Sequence, residues 1–330
     1  MSDKFIVITS INGITKSVRK FAELDDWHVV VVGDRKTPSL SRHPHTNITY
    51  LSVHDQSKLG FHTYNVLPFN HYARKNLGYL YAIRKGAQCI ADTDDDNIPY
   101  SHWGKGLTEN ISSIELVTGP KVVNIYRLFT NQRIWPRGFP LHLISNSSEI
   151  KSLESQNERI AIWQGLADNE PDVDAIYRLV FGKQIQFERR DPVALENGVY
   201  CPFNSQNTIW FPDAFVYLYL PIYVTFRFTD ILRGYVAQRG IWAINAKLGF
   251  TSATVYQNRN IHNLMSDFID ELPCYTQVNR LIELLDKCEL TGHPHEDLYT
   301  IYEVLYKAGI VKREELDGIN AWIKDFEKIT

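Results

Sequence analysis

The feature that most constrains this chain is Trp27-His28-Val29-Val30-Val31-Val32-Gly33-Asp34, a nearly unbroken β-branched run that stops on Gly-Asp. A strand that is apolar on both faces must be covered on both sides, as strands inside parallel α/β sheets are. The neighbouring segments fit that setting. Residues 5–10 and 47–53 read as further strands, residues 15–21 as a short helix, and residues 88–91 as a fourth strand. Between them, residues 72–85 place Leu77, Leu80, Tyr81 and Ile83 mostly at helical spacing, with Gly86 suited to a C-cap. Strands alternating with helices predict an open, mostly parallel α/β sheet flanked by helices. Such sheets bind ligands at the carboxyl ends of their strands. Three polar stops fall there: Thr9-Ser10, Gly33-Asp34 and the acidic run Asp92-Thr93-Asp94-Asp95-Asp96.

Composition narrows the function classes. The 330 residues carry a formal net charge of −3, with 44% apolar and 22% charged residues. That balance gives no electrostatic reason to expect a nucleic-acid partner or a membrane surface. Cys89, Cys201, Cys274 and Cys288 are widely spaced and form no CxxC pair, which argues for a reducing compartment and against a zinc site or disulfide framework. The apolar residues 5–8 are too few for a signal-peptide core, and the stretch 214–226 is broken by Pro221 and too short to span a membrane. A cytoplasmic enzyme without a transmembrane segment is expected. Residues 121–229, rich in Pro and aromatics, read as irregular loops and mixed sheet that shape a pocket. From about residue 276 the pattern turns helical and amphipathic, so we expect a main domain over 1–275 and a C-terminal helical extension over 276–330.

Four carboxylates in five positions repel one another unless a cation or hydrogen-bond donors neutralise them. Mg²⁺ and Mn²⁺ take oxygen ligands, commonly one or two carboxylates plus substrate phosphates. A solvated acidic turn is the plainer alternative, but the run follows directly on a strand. The Asp92-x-Asp94-Asp95 motif with Pro99 downstream resembles the DxD region of GT-A glycosyltransferases. More widely, the chain resembles the STELLO glycosyltransferase-like family. That resemblance rests on Leu59-Gly60-Phe61, the stretch from Tyr72 through Arg74-Lys75-Asn76 to Leu80, and Trp135-Pro136-Arg137-Gly138. It continues through Gln164-Gly165, Pro171-Asp172-Val173-Asp174, Pro202 to Thr208, and Asp230 to Tyr235, leaving the helical tail outside.

The resemblance implies a GT-A-like, Rossmann-like fold, a nucleoside-diphosphate sugar donor (a uridine nucleotide favoured), Mn²⁺ or Mg²⁺, and a hydroxyl acceptor. It implies metal ligands among Asp92, Asp94 and Asp95, with His262 as a late addition. Arg74, Lys75 and Asn76 would lie near the diphosphate, where a solvated helix start is the alternative. Asp34 is placed to contact base or ribose, with Thr9 and Ser10 as weaker base contacts. Arg137 suits a phosphate or a sugar acid, or else a structural pairing with an acid. In the polar run around Asn207, amides suit sugar hydroxyls, while self-capping turns are equally suitable. Arg233 or Arg239, not both, would face phosphates. Asp230 is either a helix cap or, as in inverting GT-A enzymes, the base that deprotonates the acceptor. A nucleotide-sugar mutase and a non-catalytic scaffold are the alternative functions.

Overall fold

The computed structural model describes residues 2–38, 46–145, 150–258 and 263–330. Its strands are β1 (Lys4–Thr9), β2 (Trp27–Val32), β3 (Ile48–Leu51), β4 (Cys89–Thr93), β5 (Asn97–Pro99), β6 (Asn110–Thr118), β7 (Lys151–Asp168), β8 (Val193–Leu195), β9 (Asn207–Trp210) and β10 (Lys247–Gln257). They form one sheet in the order β3-β2-β1-β4-β9-β7-β6-β8-β10-β5.

The first four strands are parallel, with β1 between β2 and β4. Alternation along β1 and β2 explains the apolar run. Val7, Val30 and Val32 enter the core on one face of the sheet, whereas Ile6, Ile8, Val29 and Val31 enter a second core on the other. The helix Lys75–Arg84 packs across β1 and β2. A Cβ on its Gly78 would stand 2.6 Å from methyl groups of both Val7 and Val32, so only glycine lets helix and sheet approach this closely.

Beyond β4 the sheet departs from expectation. β9 is antiparallel to both β4 and β7, β6 is antiparallel to β7, and β10 is antiparallel to β8 and β5. The expected mostly parallel sheet is therefore corrected to a parallel N-terminal part joined to a largely antiparallel remainder. The cause is long-range pairing by segments that carry no βαβ pattern of their own.

The C-terminal helices Val278–Lys287, Pro294–Lys307 and Glu314–Ile329 form as their periodicity predicts. Their apolar faces, including Leu281, Ile301, Tyr302, Ile319 and Trp322, join the same core as the sheet. Buried carboxylates fasten them. Asp325 accepts the backbone N–H groups of His62 and Thr63 at 2.8 and 2.7 Å. Glu315 accepts the Tyr219 hydroxyl at 2.6 Å and the amides of Ile222 and Tyr223 at 2.9 and 2.8 Å. No helix among the described residues is long and apolar enough to cross a membrane.

Candidate functional site

A cavity of about 600 Å³ opens at the carboxyl ends of β1, β2 and β4. Thr9, Ser10, Gly33, Asp34 and Arg74 line one side, Asp94, Asp95 and Asp96 another, and Arg137, Asp172, Arg227 and Asp230 a third.

On the first side, the Asp34 carboxylate accepts the backbone amides of Arg35 at 2.7 Å and His71 at 3.1 Å. Its second oxygen lies 3.9 Å from Arg74 Nε. Arg74 is buried, and its guanidinium donates to Gln56 and lies over the Phe69 ring. Ser10 Oγ donates to Asp95 Oδ2 at 2.5 Å, tying the end of β1 to the acidic turn.

The acidic run divides within two residues. Asp92 lies inside β4, fully buried, with Lys75 Nζ at 2.5 Å and Arg233 Nη2 at 2.8 Å. Two cations occupy its oxygens, and it does not reach the cavity. Asp94 lies past the strand end, with 35% of its side chain exposed and Lys75 at 3.7 Å. The Tyr72 hydroxyl donates to its Oδ1 at 3.3 Å. Burial raises the Asp94 carboxyl to about 7, and the charges of Asp96, Asp92 and Asp230 push the same way against Lys75. Asp96 accepts from Gln257 at 3.0 Å, and Gln257 in turn accepts from Gln206 at 2.9 Å.

The third side is built around Arg137. Its guanidinium makes paired bonds to Asp172, both at 2.8 Å, and to Asp230, at 3.0 and 2.9 Å. Burial alone would raise the Asp230 carboxyl. The adjoining Arg137, with Arg233 and the Ser205 amide, outweighs it and holds the group below the ordinary carboxylate range. That direction is the reverse of what a general base near neutral pH needs, and both Asp230 oxygens are already engaged. Arg227 pairs with the buried Glu271 at 2.8 Å.

The structure thus brings Thr9, Ser10, Asp34, Arg74, Asp94, Asp95, Arg137 and Asp230 to one cavity. It places Lys75, Asn76, Asp92, Asn207 and Arg233 beneath or away from it. Asn76 exchanges two hydrogen bonds with the Leu220 backbone, at 2.9 and 2.8 Å, fixing a buried loop. Asn207 accepts from Trp103 at 2.9 Å and donates to Thr254 at 2.7 Å. Arg233 pairs with Asp92 and donates to Ser205 at 2.8 Å, so the phosphate role is corrected to a buried structural one. His262 lies outside the described residues. Tyr72, Asp172, Gln206, Arg227 and Gln257 were missed. Asp172 and Gln206 sit in stretches already marked by the resemblance, but no local signal says which of their polar residues turn inward.

Among the described residues, no set of three or more His, Cys, Asp or Glu is arranged to hold a metal. The donors that do face the cavity, Asp94 with Asp95 and Asp96 beside it, suit an ion that takes one or two carboxylates and completes its shell with phosphates and water.

No family model matches the chain. Two curated proteins of Arabidopsis thaliana, named Probable glycosyltransferase STELLO1 and Probable glycosyltransferase STELLO2, are each 29% identical to it over 350 aligned residues. The alignments cover 98% of this chain, which spans 44% of the length of each relative. That coverage takes in the C-terminal helices, correcting the expectation that they lie outside the resemblance. Over nearly its whole length, this chain is similar to the STELLO proteins.

Proposed function

We propose that the chain is a metal-dependent glycosyltransferase of GT-A type, acting on a nucleoside-diphosphate sugar. The observation that carries this reading is the cavity itself: a carboxylate-lined opening at the ends of parallel strands, in a chain similar to proteins named as probable glycosyltransferases. Mn²⁺ or Mg²⁺ would be held by Asp94, with Asp95 or Asp96 in support, and would neutralise charge on the departing diphosphate. Asp92 supports that wall from below by fixing Lys75 and Arg233. Thr9, Ser10 and Asp34 line the side where the nucleoside fits, a uridine being favoured. In transfer, the acceptor oxygen bonds to the anomeric carbon as the bond to the diphosphate breaks, the nucleoside diphosphate leaves with the bonding electron pair, and the acceptor hydroxyl's proton passes to solvent water. We assign Asp172 and Asp230 the task of holding Arg137 at the cavity wall. The four cysteines are all buried and free, which supports a reducing, cytoplasmic setting.

The test is calorimetry of the chain with a panel of nucleoside diphosphates, with and without Mn²⁺. We expect at least one nucleotide to bind only when the ion is present. No binding to any of them in its presence would remove this reading.

A further inference from the structure

Most large exposed apolar side chains among the described residues gather at one place. Val180 is 67% exposed, Ile269 60%, Met265 57% and Phe226 54%, with Leu179 and Leu272 also exposed. They belong to four segments, the helices Ala175–Val180, Leu264–Asp270 and Leu272–Thr276 and the turn Phe226–Phe228, with Leu264–Asp270 packed against each of the other three. The buried Glu271 fastens this assembly, accepting from the Ala175 amide at 2.6 Å, Arg227 Nε at 3.0 Å and the Tyr275 hydroxyl at 2.5 Å. Apolar surface gathered in this way marks a binding site rather than ordinary scatter.

The surface continues into the cavity. Phe226 and Arg178 line it, and the Phe226 ring stands edge-on to Tyr72 at 5.4 Å. Tyr72 in turn donates to Asp94. Phe226 thus belongs both to the exposed apolar surface and to the cavity, and Tyr72 links it to the acidic wall. A substrate whose reacting end sits in the cavity therefore meets, through Phe226, the apolar surface outside it. The outer helix Leu264–Asp270 carries no basic residue, and its partly exposed Asp270 disfavours an anionic lipid surface.

We infer that the acceptor carries an apolar group, of alkyl-chain size, next to the hydroxyl that is glycosylated, and that this group lies against Phe226, Met265 and Ile269. This rests on the glycosyltransferase reading above and names its acceptor class. The test compares methyl and n-octyl β-glucosides by calorimetry on the full chain, below the micelle concentration. Octyl glucoside should bind roughly tenfold tighter or better, from burial of its chain. Met265→Glu and Ile269→Glu, both at exposed positions, should abolish that advantage while leaving the unfolding temperature and metal-dependent nucleotide binding unchanged. Equal affinity for the two glucosides would overturn the inference. So would well-folded variants that keep the octyl advantage, or a wild-type dimer that both variants convert to monomer. Nucleotide binding, measured separately, decides the glycosyltransferase reading, so the two failures are distinguishable.

Discussion

The acidic and arginine walls of the cavity use the same side chain to opposite ends. On the acidic wall, Asp94 faces other carboxylates with its nearest cation 3.7 Å away, and burial with like charge lifts it to about 7. On the arginine wall, Asp230 is more deeply buried, yet paired bonds to Arg137 hold it below the ordinary range. Burial raises both; the partner decides the outcome. The open wall faces the cavity with a carboxyl whose nearest cation stands off, while both oxygens of Asp230 are engaged by Arg137.

Breaking the arginine wall should give the largest effect. Arg137→Met leaves Asp172 and Asp230 buried without their shared guanidinium, and removing one partner of a buried pair costs about 3–5 kcal/mol. Denaturant unfolding of the variant measures this directly. Stability close to wild type would mean that the two acids are already solvated.

Asp230→Asn sharpens the comparison. As a partner of Arg137, its loss should lower stability by about 1–3 kcal/mol, the cost of an impaired buried charged hydrogen bond. As a general base, the same change would leave stability intact and slow transfer by about 10²–10⁴-fold. Unfolding and turnover measured on one preparation separate the two roles.

A third variant uses pH. Asp174, beside the arginine wall, is fully buried, caps Tyr177 at 2.7 Å and accepts from Trp135 at 2.6 Å. Burial, with Glu271 and Asp172 adding to it, raises its carboxyl to about 6 despite those bonds. The folded state then holds the proton more tightly than the unfolded chain, so this contribution is full below pH 4 and is lost as pH rises through 6. Asn does not titrate. The stability advantage of wild type over Asp174→Asn should therefore narrow between pH 4 and 7, by on the order of 1–3 kcal/mol. A widening gap would mean that Asp174 is held ionised.

The two walls were unequally legible. The parallel strands announce themselves because both faces are apolar, and Asp34, Ser10 and Asp94 follow from where those strands end. Asp92 was misplaced by a boundary. Ending β4 at Ala91 puts Asp92 in the loop, but the strand runs to Thr93. Alternation then turns Asp92 to the same face as Ile90, into the core. The arginine wall has no such signal. Arg137, Asp172 and Asp230 come from three distant segments, brought together by a sheet whose longest strand, β7, is exposed and polar over its first half. A segment like Lys151-Ser-Leu-Glu-Ser-Gln-Asn shows no period because its pairing partner, β6, sets its shape. The paired-acid reading of Arg137 was available from sequence, but not which acids.

We propose that Asp94, on the open wall, carries the cation, while Asp92, two residues earlier and paired with Lys75 and Arg233, does not. Calorimetry of a nucleoside diphosphate with and without Mn²⁺, on wild type and on Asp94→Asn, tests it most directly. We expect the variant to unfold as wild type does and to lose the Mn²⁺-dependent part of its affinity. A well-folded Asp94→Asn protein that binds the nucleotide as tightly with Mn²⁺ as wild type does would contradict it.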